Sequence, residues 1–150
     1  MAAGTPSNAP TTGQTVDCTG PANTPVIAAA GATGVTVKVA AGATVTGSAQ
    51  TLAGGNAQYS TVLVRDQGTV NVAATGAIVT AVTPASGARD YYAVNMQGTE
   101  SSLVNNGDIT VSNTNVTTGG AARRIYGVIS SSPGGTYENV SVVNNGNITL

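Results

Sequence analysis

Fixed charge in this chain is confined to six carboxylates and five cations. They are Asp17, Asp66, Asp90, Glu100, Asp108 and Glu138, against Lys38, Arg65, Arg89, Arg123 and Arg124. A polysaccharide-cleaving site needs clustered carboxylates, or a Lys or Arg base beside them. These six are scattered. Asp66 stands two residues before Gly68 and Asp108 just after Gly107, so a stacked fold would set both on one edge, two coils apart. Solvated turn acids are the plainer reading. The chain has no His, which removes Ser-His-Asp and Cys-His arrangements and the usual imidazole zinc sites. No paired glycines lead into Lys-Ser or Lys-Thr to cradle phosphate, and no Gly-Gly-x-Gly-x-Asp nonapeptide is present to hold calcium. Neither catalysis, a cofactor nor a metal is expected of these residues.

Chemistry of contact is better represented. Arg89-Asp90-Tyr91-Tyr92 and Arg123-Arg124-Ile125-Tyr126 each bring a basic residue into a strand that carries Tyr. Tyr and Arg dominate binding hot spots, so these segments form one half of a candidate contact surface. One of Tyr91 and Tyr92 should face outward, since neighbours in a strand alternate. The other half is an amide-rich face of Asn105, Asn106, Asn144 and Asn145. The alternative is Tyr packed beneath a loop with Arg solvated or ion-paired. Cys18 is the only cysteine and closes no disulfide within the chain; a small buried residue and an intermolecular link are the two readings. Three Asn-x-Ser/Thr triplets, at Asn115, Asn139 and Asn147, match the glycosylation pattern, but an Asn- and Thr-rich chain produces such triplets by chance.

The elements that position these residues announce themselves by repetition. Val104-Asn105-Asn106-Gly107-Asp108-Ile109-Thr110 returns 39 residues later as Val143-Asn144-Asn145-Gly146-Asn147-Ile148-Thr149. A looser copy is Val64-Arg65-Asp66-Gln67-Gly68-Thr69-Val70. Strand, turn and strand reused at a fixed interval indicate a structure that grows by stacking. The turn glycines are expected to take positive φ, and Asn amides of successive coils to hydrogen-bond down the axis. Each 39-residue unit is read as two coils of about 20 residues, giving a rod roughly 30–40 Å long at the usual strand spacing. Val70, Ile109 and Ile148 are expected one above another in the core.

Composition supports an all-β chain. Charged residues are 7% and the net charge is −1, too little cation for a nucleic-acid footprint. Phe, Trp and His are absent; Val and Thr favour pleated structure, and Gly and Asn favour turns. Low net charge with recurring Val-rich alternation argues against disorder. No apolar run is long enough for a spanning helix, so direct membrane insertion is not expected. Residues 1–13 read as a flexible leader and 14–150 as one repetitive domain. Strands are expected at 35–39, 44–46, 60–64, 70–72, 77–82, 92–96 and 125–129. Loops are expected at 49–56, 83–90, 113–124 and 130–136. Met1-Ala2-Ala3-Gly4 is followed by Pro, Ser and Asn, unlike a signal peptide. Thr149-Leu150 stops inside the repeated strand, so a fragment truncated at its C-terminal end is expected.

Two features resemble a known family. One is the Asn-Asn-Gly-x-Ile pattern; the other is the opening Thr15-Val16-Asp17-Cys18-Thr19-Gly20 followed by Val35-Thr36-Val37-Lys38-Val39-Ala40-Ala41-Gly42-Ala43. Together they resemble the N-terminal passenger of a bacterial autotransporter of the type V secretion class, over about residues 14–150. The resemblance implies a right-handed parallel β-helix with an N-terminal cap, export through the outer membrane to the bacterial cell surface, and a separate translocator barrel. The function expected from it is a surface adhesion or self-association module, with a second copy or a host or surface ligand as partner and no nucleic acid. The alternatives are a non-catalytic stem of a secreted enzyme and a structural spacer.

Overall fold

Alternation of Val with Thr, Ser or Asn makes each strand two-faced, and the fold satisfies both faces by winding. The structure is a computed structural model that describes residues 9–47, 58–82, 90–113, 124–130 and 138–150. The chain passes first through β1 (Thr15–Cys18) and β2 (Val26–Ile27), with Asn23 bridged to Val45 between them. It continues through β3 (Thr36–Val39), β4 (Thr44–Gly47) and β5 (Gln58–Val64), then β6 (Thr69–Val72), β7 (Ala77–Val82) and β8 (Asp90–Met96). β9 (Ser102–Asn105), β10 (Asp108–Asn113) and β11 (Arg124–Ser130) follow, and β12 (Ser141–Asn144) and β13 (Asn147–Thr149) come last. No helix occurs among the described residues.

Three parallel sheets result, each visited once per circuit. Sheet 1 runs β1-β3-β6-β9-β12, sheet 2 runs β4-β7-β10-β13, and sheet 3 runs β2-β5-β8-β11. Every pairing is parallel and none joins consecutive strands. The chain is therefore all-β, built from stacked parallel sheets. All the expected strands appear at or within a few residues of their expected bounds. The expected loops at 49–56, 83–90, 113–124 and 130–136 lie largely outside the described residues. In the leader, the described Pro10 carbonyl accepts from the Ala29 amide and Gly13 N–H donates to Thr33.

The register corrects the size of the repeat. Thr15, Thr36, Thr69, Ser102 and Ser141 are successive partners in sheet 1, so the circuits advance by 21, 33, 33 and 39 residues. The 39-residue repeat is one circuit of three sheets, not two coils of about 20 residues. Five strands at the usual spacing make sheet 1 about 20 Å tall, shorter than the rod expected. The looser copy at 64–70 is out of register too. Val70 pairs with Leu103 in sheet 1, whereas Ile109 pairs with Ile78 and Ile148 in sheet 2. Ile109 and Ile148 stack as expected; Val70 belongs to another column. A shared Gly with a β-branched residue beyond it was too common a pattern to fix register here.

Inward positions fill columns of small apolar side chains. Val16, Val37, Val70 and Leu103 are buried in sheet 1, as are Val45, Ile78 and Ile109 in sheet 2 and Val26, Val62 and Val94 in sheet 3. Each such side chain contributes about 1.5–3 kcal/mol when fully buried. In the last circuit Val142, Val143, Ile148 and Leu150 are exposed.

One corner recurs that the sequence did not announce. Two residues before each hydroxyl of the sheet 1 series, the backbone is left-handed: Gly13 (φ 74), Gly34 (φ 66), Gln67 (φ 58), Glu100 (φ 56) and Asn139 (φ 58). Backbone hydrogen bonds link these corners up the stack, the N–H of Gly13 donating to Thr33 O, Gly34 to Asp66 O, Gln67 to Thr99 O and Glu100 to Glu138 O, at 2.8–2.9 Å. Gln67 and Glu100 add a side-chain bond, Nε2 to Oε2 at 3.0 Å. At φ near +60° a non-glycine residue is strained by roughly 1–2 kcal/mol, so the stacked hydrogen bonds hold it there.

Candidate contact surface

Outward positions of sheet 1 form an ordered polar face. Its first column is all hydroxyl: Thr15, Thr36, Thr69, Ser102 and Ser141, with Ser102 Oγ donating to Thr69 Oγ1 at 3.4 Å. The column beside it holds Asp17, Lys38, Asn71, Val104 and Val143. A groove of about 540 Å³ lies where this face meets the corner to sheet 2, its walls polar at Asp17, Thr19, Lys38, Asn71 and Asn106 and apolar at Cys18, Val39, Ala40, Val72 and Ala73. Opposite charges of Asp17 and Lys38 are cross-strand neighbours at its lower end.

The corner beside the groove changes construction as it rises. Between β3 and β4, and between β6 and β7, four residues turn the chain (40–43 and 73–76), and a backbone bond closes each turn: Ala43 N–H to Ala40 O at 3.0 Å, Gly76 N–H to Ala73 O at 2.9 Å. Between β9 and β10, and between β12 and β13, only two residues remain, Asn106-Gly107 and Asn145-Gly146. Two residues are too few for that internal bond. The side chain of Asn105 supplies it instead: Nδ2 donates to Gly107 O at 3.2 Å, and Oδ1 accepts from Gly107 N–H at 3.2 Å. Asn105 is fully buried in the column that holds Cys18, Val39 and Val72 below it. An amide thus replaces an apolar inward residue where the corner loses two residues.

Amides do hydrogen-bond along the stack. Asn105 Nδ2 donates to Asn144 Oδ1 at 2.8 Å, Asn145 Nδ2 to Asn106 Oδ1 at 3.0 Å, and Asn147 Nδ2 to Asp108 Oδ1 at 2.8 Å. The reason for glycine differs from the expected one. Neither Gly107 nor Gly146 has positive φ. A Cβ on Gly107 would overlap the carbonyl of Gly76, and a Cβ on Gly146 that of Gly107. Close stacking of corners, not left-handed backbone, demands glycine here.

The expected contact surface is thus redrawn. Tyr91 and Tyr92 are both buried, so neither faces solvent as expected. All of β8 is buried, on both faces, between its neighbours β5 and β11, so alternation selects no outward ring. Tyr91 stacks on Tyr59 with ring centroids 5.2 Å apart, and Tyr92 on half-buried Tyr126 at 5.4 Å. Tyr92 Oη also donates to Asp90 Oδ2 at 3.2 Å. These rings are column packing in sheet 3. Arg89 and Arg123 lie outside the described residues, and Arg124 opens β11 opposite Asp90. Asn105 leaves the surface because it is buried; Asn106, Asn144 and Asn145 are exposed.

The acids do not gather either. Asp66 lies at the corner entering sheet 1, its Oδ1 accepting from Thr99 N–H at 2.8 Å, while Asp108 lies at the corner leaving it, bonded to Asn147. They do not share the edge proposed for them, because the copies that aligned them were out of register. Arg65 works as a clamp, with Nε bonded to Ala29 O at 2.9 Å and an η-nitrogen to Gln97 Oε1 at 2.7 Å. Cys18 is fully buried, and burial first, then the charge of Asp17, pushes its thiol from 9.0 up to about 11.

The outward hydroxyl column was missed by sequence reasoning. Its signal was present as a Thr or Ser two residues after each corner residue, but the uneven advance of the circuits hid it. Among the described residues no group of three or more His, Cys, Asp or Glu could hold a metal ion, and no helix is long and apolar enough to cross a membrane. No family model, no curated protein and no solved structure matches this chain.

Proposed function

We propose that this chain is a right-handed parallel β-helix of the bacterial autotransporter passenger type, carried to the cell surface, where it acts in adhesion or self-association. Three sheets entered in one repeating order are what such a winding requires, and right-handed crossovers dominate parallel connections. The observation that carries the functional reading is the outer face of sheet 1: five hydroxyls in one column, flanked by Asp17, Lys38 and Asn71 and bordered by the groove at the corner to sheet 2. Such a face suits many weak, repeated hydrogen bonds to an extended partner, a second copy or a surface glycan or protein, rather than capture of a small molecule in a pocket. The role is non-catalytic, and the contact surface is this face with Asn106, Asn144 and Asn145, not the tyrosines.

Replacing Thr36 and Thr69 by Lys tests it, because both side chains point away from the core and the added charges repel a second copy docked there. Sedimentation at rising concentration and clumping of protein-coated beads should both weaken relative to the parent chain. A parent that stays monomeric and neither clumps beads nor adheres to cells would overturn the reading and favour a spacer or an enzyme's stem.

A further inference from the structure

Where sheet 1 turns toward sheet 2, five polar side chains converge on the groove: Asp17, Thr19, Lys38, Asn71 and Asn106. Strand alternation puts Asp17 and Lys38 there. Asp17 stands between buried Val16 and Cys18, and Lys38 between buried Val37 and Val39, so both side chains point outward. Parallel register then sets Asp17, Lys38 and Asn71 in one column, with strands about 4.8 Å apart along the stack. None of these three side chains has a hydrogen-bond or ion-pair partner among the described residues. Asn106 Oδ1 accepts from Asn145 Nδ2 at 3.0 Å, which leaves its own Nδ2 as a donor.

The hydrogen-bonding senses of the groove are mixed. Asp17 only accepts, Lys38 only donates, and Asn71 and Thr19 do both. One carboxylate and one ammonium cancel, so the lining carries no net charge. Ala40 and Ala73 supply apolar wall between the polar groups, and the volume of about 540 Å³ falls within the roughly 300–1,000 Å³ of ligand clefts. The matching ligand is neutral, carries groups that each donate and accept, and has C–H surface between them. Sugar hydroxyls and ring C–H faces meet all three demands. An acidic sugar would meet Asp17 and a cationic one Lys38. A protein partner would find no Tyr, Trp or Arg in this lining, the anchors that concentrate energy at protein interfaces.

We infer that this groove holds a short stretch of a neutral glycan chain. Asp17 accepts from sugar hydroxyls, Lys38 and Asn71 bond the hydroxyls above, and Ala40 and Ala73 lie against a ring face. The assignment rests on the reading of sheet 1 as the contact face and names its partner.

The test is titration of the isotope-labelled whole chain, followed by amide NMR, with mannotriose, cellotriose and the N-acetylglucosamine trimer as neutral probes. The galacturonate and glucosamine trimers are their charged counterparts. At least one neutral trimer should shift the amides of Thr19, Lys38, Asn71 and Ala73 with a Kd of about 1 mM or tighter, and the charged trimers should bind more weakly. Asp17→Ala and Asn71→Ala should each weaken binding about fivefold or more, while Thr110→Ala on sheet 2 leaves it unchanged; the same spectra show that each variant is folded. Shifts confined to other surfaces, a charged trimer bound as well as the neutral ones, or no response to any neutral trimer would each overturn the assignment. Protein-coated beads that clump or adhere while no trimer binds would overturn the glycan alone, leaving sheet 1 as a contact face for a protein or a second copy.

Discussion

The two lower corners between sheets 1 and 2 and the two upper ones make the same bend by different means. Below, four residues close a turn with their own backbone, and the inward neighbours are Val39 and Val72. Above, two residues bend the chain and an Asn side chain stands in for the missing peptide groups: buried Asn105 bonds both the N–H and the C=O of Gly107, and exposed Asn144 bonds the C=O of Gly146. The difference shows that a polar residue in the core column is set by corner length. A buried amide is tolerable only when its donors and acceptors are matched, and Asn105 meets that demand with Gly107 and Asn144.

The comparison breaks most severely at Asn105. Asn105→Val copies the lower columns without restoring their longer corner, leaving the N–H of Gly107 without its acceptor and the Gly107 carbonyl with only the Asn147 amide. A loss of about 2–4 kcal/mol in urea unfolding is expected, whereas Val72→Asn at the four-residue corner should also destabilise because its amide finds no such partners. A harmless Asn105→Val would mean the amide does not close the corner.

Glycine separates the two designs next. Gly107→Ala forces a Cβ onto the carbonyl of Gly76 and should cost about 2–3 kcal/mol. At Gly42 a Cβ meets open space and only φ +72 opposes it, so Gly42→Ala should cost about 1 kcal/mol. The reverse order in thermal melts would contradict the close-approach argument. Thr75 sits at φ 65 and accepts from Gly42 N–H through its carbonyl and its hydroxyl. A β-branched residue is poorly suited to that region, so Thr75→Gly should stabilise by about 0.5–1 kcal/mol; a loss would show that the hydroxyl bond outweighs the strain.

Cys18 probes the bottom of the same column with little effect on stability at neutral pH. Its thiol is raised from 9.0 to about 11 in the folded chain, so the folded state holds the proton more tightly. Stability is unaffected below pH 9 and falls between pH 9 and 11, as the unfolded thiol ionises first. Alkylation at pH 8 should be slow in the folded chain and rapid in denaturant; equal rates would place Cys18 at the surface.

Much of the fold was legible because period-two alternation of Val with Thr marks half-buried strands wherever it occurs. The strand at 77–82 matches the expected bounds, and the amide ladder followed from the near-identical copies at 104–110 and 143–149. Register was not legible. Corner residues such as Val39 and Thr44, five apart, and Asn105 and Asp108, three apart, hold equivalent places, so no constant spacing links all circuits. The site was harder still. Tyr91 and Tyr92 promised one outward ring, but burial of both faces of β8 overrides alternation. Left-handed Gln67 and Glu100 carried no sequence mark, since their conformation is imposed by stacking.

Placement of Thr69 and Ser102 as direct neighbours, one circuit apart, is tested most directly by excimer fluorescence. With Cys18→Ala as background, pyrene on Thr69→Cys and Ser102→Cys should give strong excimer emission at concentrations where single-labelled chains give none. Pyrene on Thr69→Cys and Thr110→Cys, in different sheets and out of register, should give little. Monomer emission alone from the first pair would contradict a stack in which each circuit of 33 residues returns the chain directly above itself.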